Sequence, residues 1–277
     1  MGPNRTFALM PAALSVDGYF GAKLVSVFAD PADPAHRAHR GVVVLFEGSV
    51  GEPVCVADAG AVTMIRTGAA SAVATDALAR PDARVLAILG TGHQAESHIA
   101  ALSLVRDFTK VLVWGRTPDR VDEFVRRMAE KTGLDIEAAE SARSAVDSAD
   151  VICTVTSASE PILLREWLAD GAHVNVVGSS APGPVEVDDR LVAESRFFVD
   201  CREHVINHGA EFLRARKSGL VDDEHIVAEI GAVLCGQSPG RQDASELTVY
   251  KSLGHAIQDL ASLALLYERF RDDGSGA

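Results

Sequence analysis

The run ILGTGHQA, residues 88–95, decides how this chain folds. It closes the apolar stretch RVLAILG (84–90) and opens the half-apolar stretch AESHIAALSLVRD (95–107), so it stands where a strand passes into a helix. Its glycines fall at 90 and 92 with alanine at 95, the G-x-G-x-x-A spacing of a dinucleotide-binding turn. Gly90 permits the tight turn, Gly92 lets backbone amides approach a pyrophosphate, and Ala95 keeps the helix close to its strand. Glycine turns between strand and helix are common in any α/β protein, so the weight of this one depends on what surrounds it.

What surrounds it is a regular alternation. KVLVWG (110–115), DVICTV (150–155), AHVNVVG (172–178) and FFVDC (197–201) read as further strands. PDRVDEFVRRMAEKTG (118–133), ARSAVDSA (142–149) and REWLADG (165–171) read as the helices between them. Such alternation predicts a parallel sheet covered on both faces: an α/β protein with a Rossmann doubly wound sheet over residues 81–250. Upstream, AKLVSVFAD (22–30), GVVVLFEG (41–48) and GEPVCVAD (51–58) are short strand-like runs cut by Asp, Pro and Gly, the pattern of an antiparallel sheet. Residues 1–80 therefore read as part of a smaller α+β substrate and dimerisation domain, with VTMIRTGAASAVATDALA (62–79) a connecting helix stopped by Pro81. After Cys201 the chain reads as helical. It ends in KSLGHAIQDLASLALLYERF, whose helix over 251–277 is expected to pack back on the substrate domain, with DDGSGA (272–277) frayed.

Composition narrows the chemistry. The formal net charge is −13, which argues against a nucleic-acid groove, because such grooves need clustered Lys and Arg. An anionic ligand must then meet local positive charge. Four scattered cysteines without a CxxC spacing suit reduced thiols in a cytoplasmic protein, and no apolar run is long enough to span a membrane. His204 and His208 are spaced i, i+4, but HVINH lacks the glutamate of a metalloprotease and a third ligand, so no metal is expected. Trp114 and Trp167 read as packing residues.

At the end of the second strand, an acid accepts the ribose hydroxyls of NAD, whereas an arginine accommodates the 2′-phosphate of NADP. This chain has Arg116 and Thr117 there, a planar fork of donors beside a hydroxyl, which favours NADP over NAD. The competing reading is a solvated loop arginine. TVTSASEP (154–161) and VVGSSAPG (176–183) follow later strands at the carboxyl edge where α/β sheets bind ligands, and are expected to line a nicotinamide, against ordinary turn chemistry. His93 would touch phosphate through its backbone.

GAKLVSVFAD, VTMIRTGAASAVAT, ILGTGHQAESH, VWGRTPDR, ADVICTVTSASEPIL, GAHVNVVGSSAPG and TVYKSLGHAIQDLASL together resemble the ornithine cyclodeaminase/mu-crystallin family over most of residues 8–270. The nearest branch is that of the mu-crystallin-like ketimine reductases. The resemblance implies an NAD(P)-linked reaction at the carbon of a small 2-amino or 2-imino acid, and a homodimer formed through the substrate domain. It implies that Lys23 and Arg66 hold the substrate carboxylate. For the cofactor it implies Thr67, Gly90, Thr91, Gly92, His93, Gln94, Arg116, Thr117, Thr156, Ser157, Val177, Ser252 and Leu253. Family cyclodeaminases carry an Asp where this chain has Ser180, a poor base without a partner, so the resemblance points to imine reduction. Full-length relatives have about forty to fifty residues before the stretch matching Arg5–Pro11, enough for a further strand or two. The substrate sheet is accordingly expected to be shortened at its N-terminal side. Rival readings are a cyclodeaminase, an alanine dehydrogenase-type enzyme, and a catalytically weak NADPH- and small-ligand-binding protein.

Overall fold

The computed structural model describes residues 5–15, 18–29 and 37–272; the expected fraying beyond residue 272 lies outside them. Two compact units emerge: one runs to Arg66 and resumes at His255, the other spans Thr67–Gly254. The division falls within a helix.

In the first unit, β1 (Arg5–Ala13), β2 (Phe20–Ala29), β3 (Arg37–Phe46) and β4 (Pro53–Asp58) form an antiparallel sheet in chain order. The alternation seen in the sequence sorts its two faces. Val25, Val43 and Leu45 are buried on one, whereas Leu9, Leu24 and Val42 stand in register on the other. The segment Arg5–Ala13, which periodicity alone left unassigned, is paired along its length with β2. From β4 the chain enters α1 (Ala59–Leu78).

The second unit holds an eight-stranded parallel sheet. Its elements are β5 (Val85–Leu89), α2 (His93–Leu102), β6 (Lys110–Trp114), α3 (Pro118–Thr132), β7 (Ile136–Ala138), α4 (Ala142–Val146), β8 (Val151–Thr154) and β9 (His173–Val176). They continue with α5 (Asp189–Ala193), β10 (Arg196–Val199), α6 (Arg202–His208), α7 (Ala210–Lys217), β11 (Ile226–Glu229), α8 (Ile230–Leu234) and β12 (Thr248–Lys251). Strand order is β11-β10-β12-β9-β8-β5-β6-β7. Because the order runs outward in both directions from the β5/β8 pair, that pair is the switch point at whose carboxyl edge such sheets bind ligands. The strands are apolar runs because helices cover both faces; Leu86, Ile88 and Leu89 are wholly buried. Helix α3 shows the local logic: Pro118 starts it, Val121, Phe124 and Met128 face the core, and Gly133 ends it at φ 71°. Trp114 and Trp167 pack against the core, as expected.

Three sequence expectations are corrected. REWLADG forms only a 3₁₀ turn, Arg165–Trp167. The region after Cys201 is not uniformly helical: it contributes β11 and β12, and β12 lies inside the sheet between β9 and β10. Four residues are too few to show a period, and the charged Lys251 interrupts what would otherwise read as a buried run. The last helix, α9 (Ala256–Asp272), starts later than the reading from Lys251 suggested. It belongs to the first unit, where Leu260 and Leu263 cover Val43 and Leu45.

Buried histidines make the second unit acid-sensitive. His98 bonds Ser71 Oγ at 2.9 Å and Gln94 O at 2.7 Å, and burial pulls its imidazole down to about 4. Burial, helped by Arg241, pulls that of His173 down to about 3. Both groups bind a proton in the unfolded chain near pH 6.5 but not in the folded one. Stability therefore falls as pH drops through that value, by about 3 kcal/mol for His98 and about 5 kcal/mol for His173 once fully expressed. Urea unfolding at successive pH values should show the decline beginning before ordinary carboxylates titrate, and His98→Gln should reduce its slope; a flat profile down to about pH 5 would refute this.

Candidate active site

The Gly90 turn is built from two different glycine requirements. At Gly90 φ is 130°, and a Cβ would lie 2.8 Å from Val155 O, so the fold itself demands glycine. Its N–H donates to Trp114 O at 2.8 Å, tying the end of β5 to that of β6. Gly92, the N-cap of α2, has an ordinary φ of −88°, and a Cβ there meets nothing within 4 Å. Among the described residues, neither φ nor a packing contact asks for glycine at 92. The space left in front of it, with no side chain capping α2, fits a pyrophosphate received by the amides and positive end of the helix. Glu96 in that first turn is neutralised by Lys131 at 2.6 Å and Arg127 at 2.7 Å, which hold its carboxyl down at about 2.

A Cβ on Gly115 would stand 3.2 Å from Thr91 Cγ2, so the loop leaving β6 packs directly on this turn. Arg116 and Thr117 follow in that loop, both exposed, with Thr117 at the N-cap of α3. His93 is exposed at the first position of α2, and the buried Gln94 Oε1 has no hydrogen-bond partner among the described residues.

Along the same carboxyl edge, Val177 N donates to Thr154 O at 3.1 Å and Ser252 N to Val176 O at 3.0 Å. Leu253 N donates to Asp200 Oδ2 at 2.8 Å. Thr156 is half-buried, whereas Ser157 and Ser180 are exposed. The second unit thus brings the Gly90–Gln94 turn, Arg116, Thr117, Thr156, Val177, Ser252 and Leu253 to one edge of its sheet.

Lys23 and Arg66 belong to the first unit. The alternation of β2 puts Lys23 on the face covered by α9, where Asp259 is wholly buried. Asp259 Oδ1 accepts from Lys23 Nζ at 3.1 Å and from Arg66 Nε at 3.2 Å, and Arg66 Nη1 donates to Gln258 Oε1 at 3.0 Å. Two cations against one anion leave a single positive charge. Burial lowers the pKa of the Lys23 ammonium, and Asp259 opposes that shift. Thr67, the next residue after Arg66, is buried in the second unit.

A family model of the ornithine cyclodeaminase/mu-crystallin family matches residues 2–274. The chain belongs to that family. It is 36% identical over 260 residues to the ketimine reductase mu-crystallin of Mus musculus, covering 94% of this chain and 79% of that protein. The Δ1-pyrroline-2-carboxylate reductase of Thermococcus litoralis, solved with NADH and L-proline, superposes with a TM-score of 0.87 at 30% identity, covering 98% of this chain and 88% of that one. An archaeal alanine dehydrogenase dimer with bound NAD superposes with a TM-score of 0.91 at 30% identity, covering 100% and 85%.

In this member of the ornithine cyclodeaminase/mu-crystallin family, several buried charges lay outside the sequence reading. Asp259 is one, and its signal was available: it is the lone acid on the apolar stripe Ala256, Leu260, Leu263, Ala264 of α9. Glu186, Glu211 and Lys251 are the others, all buried in the second unit. For Glu186 and Glu211 nothing in the local pattern distinguishes them from surface acids.

Proposed function

We propose that this chain uses NADPH to reduce the C=N bond of a small 2-imino acid. The observation that carries the reading is the open helix terminus at Gly92, in a chain whose relatives include a ketimine reductase and a pyrroline-2-carboxylate reductase. The bound cofactor supplies a hydride to the imine carbon. The amides of the α2 terminus hold its pyrophosphate, and Arg116 with Thr117 holds the 2′-phosphate. Solved neighbours contain NADH and NAD, so the choice of NADPH rests on Arg116. Lys23 and Arg66 bind the substrate carboxylate, and the single net positive charge that Asp259 leaves them suits one carboxylate. Ser180, directly or through water, contacts the imine nitrogen, which must carry a proton to accept hydride. Most of the rate advantage then comes from positioning.

NADPH oxidation with pyrroline-2-carboxylate or piperideine-2-carboxylate tests the reading. Turnover is expected, and Arg116→Ser should cut the preference for NADPH over NADH by about tenfold or more. An intact, cofactor-binding chain that reduces neither imine would reject the assignment. The likeness to alanine dehydrogenase favours a second reading, the oxidative direction on an amino acid, which ammonia release from alanine with oxidised cofactor would select.

The same proposal includes a homodimer. One face of the first unit's sheet exposes Phe7 (53%), Leu9 (61%), Phe28, Val42 and Val56 (61%), a row of large apolar side chains of the kind that suits an interaction surface. The dimeric alanine dehydrogenase neighbour supports a second copy as its cover. Four free cysteines support a reducing, cytoplasmic setting.

A further inference from the structure

The buried Glu and Lys side chains that this reading leaves unused cluster at one place in the second unit. Glu186, between β9 and α5, is wholly buried. Its Oε1 accepts from Thr156 N at 2.6 Å and Thr156 Oγ1 at 2.7 Å; its Oε2 accepts from Gly178 N at 2.6 Å and Thr154 Oγ1 at 2.8 Å. Thr154 and Thr156 stand where the chain leaves β8, and Gly178 where it leaves β9. One carboxylate therefore ties two loops together at the point where their ladder ends.

An ionised carboxylate suits this: burial raises the pKa of Glu186, and the Thr156, Thr154 and Lys251 groups around it oppose that shift. Such a carboxylate accepts at about four lone-pair positions and donates at none, so it can take donors from both loops at once. A glutamine of the same shape would turn its NH₂ group toward a backbone N–H, which cannot reverse, and a threonine hydroxyl, which can. The packing is equally specific, since a Cβ on Gly178 would fall 2.1 Å from Thr156 O and 2.5 Å from Glu186 Oε1. A second buried group secures the next residue: Lys251 Nζ donates to Ser179 O at 2.6 Å and to Ser179 Oγ at 2.7 Å, and pairs with Glu211 at 3.0 Å. Ser179 Oγ donates to Glu211, whose Oε1 also accepts from Glu186 N at 3.1 Å. Three buried charges thus converge on residues 178 and 179, immediately before the exposed Ser180.

We propose that Glu186 is a positioning residue, which locks the loops after β8 and β9 in one register so that Thr156, Val177 and Ser180 are in place before the nicotinamide arrives. The inference rests on the reading that these loops receive the nicotinamide. It places Glu186 in contact with neither cofactor nor substrate.

The test is Glu186→Gln in the full chain, with NADPH as the probe. NADPH Kd should rise about tenfold. The primary deuterium isotope effect on kcat with C4-deuterated NADPH should also increase, because a misplaced ring makes hydride transfer slower relative to release. KM for the imine should change less than the NADPH Kd, since its carboxylate ligands Lys23 and Arg66 do not depend on Glu186. A purely structural role would lower the active fraction and leave the isotope effect unmoved. Should Glu186→Gln not fold, Thr154→Val removes one of the four donors and should shift both quantities in the same direction by less. A folded variant with wild-type NADPH affinity and an unchanged isotope effect overturns the proposal. If the wild-type chain binds NADPH yet reduces no imine, the assigned reaction fails, and the affinity comparison alone then decides for or against Glu186.

Discussion

Asp259→Ala is expected to destabilise the protein by about 3–5 kcal/mol, because it strips two buried cations of their shared anion. Lys23 and Arg66 are 5% and 8% exposed, so water cannot take over the role of the carboxylate, and like charges would be left side by side. Asp259→Asn, which keeps the shape and an acceptor oxygen, should lose less. Both variants should also lose substrate affinity, since the geometry of the two cations is set by the group they share. Urea denaturation monitored at neutral pH measures the stability term. A loss below about 1 kcal/mol for the alanine variant would show that Asp259 does not hold the pair.

The second large effect contrasts two glycines two residues apart. Gly92→Val should cost no more than about 1 kcal/mol of stability, the loss of a favoured N-cap residue, because φ is ordinary and a Cβ there meets nothing within 4 Å, yet it should weaken NADPH binding on the order of a hundredfold by filling the place of the pyrophosphate. Gly90→Val should damage both properties. Its backbone lies at φ 130° and its Cβ would press on Val155 O, a strain of about 1–3 kcal/mol or more at the turn that fixes β5 against β8. Thermal unfolding and cofactor titration on the two variants separate the cases. Equal loss of stability in both would mean that Gly92, too, serves only the fold.

These contrasts also show what a sequence discloses. The β5-turn-α2 unit was legible because it is local: an apolar strand, glycines at fixed spacing, and an amphipathic helix within about twenty residues. Lys23 and Arg66 were legible only through family resemblance. Their partner Asp259 lies 236 residues from Lys23, and no local pattern joins them. Strand β12 was missed because its four residues carry no period and end in a buried lysine, whose meaning depends on Glu211 and Ser179 being beside it. Glu186 was missed for the same reason: a glutamate in GPVEVDD looks like any surface acid until β8 and β9 bring Thr154, Thr156 and Gly178 to it. Charges buried by long-range contacts are invisible to periodicity.

Calorimetric titration of NADPH into the folded wild-type chain, with NADH and the Gly92→Val variant alongside, bears on all of this most directly. Saturable binding of NADPH, weaker binding of NADH, and loss of both in a folded Gly92→Val chain are the results expected. Absence of binding by either dinucleotide to the folded wild-type protein would contradict the account at its base.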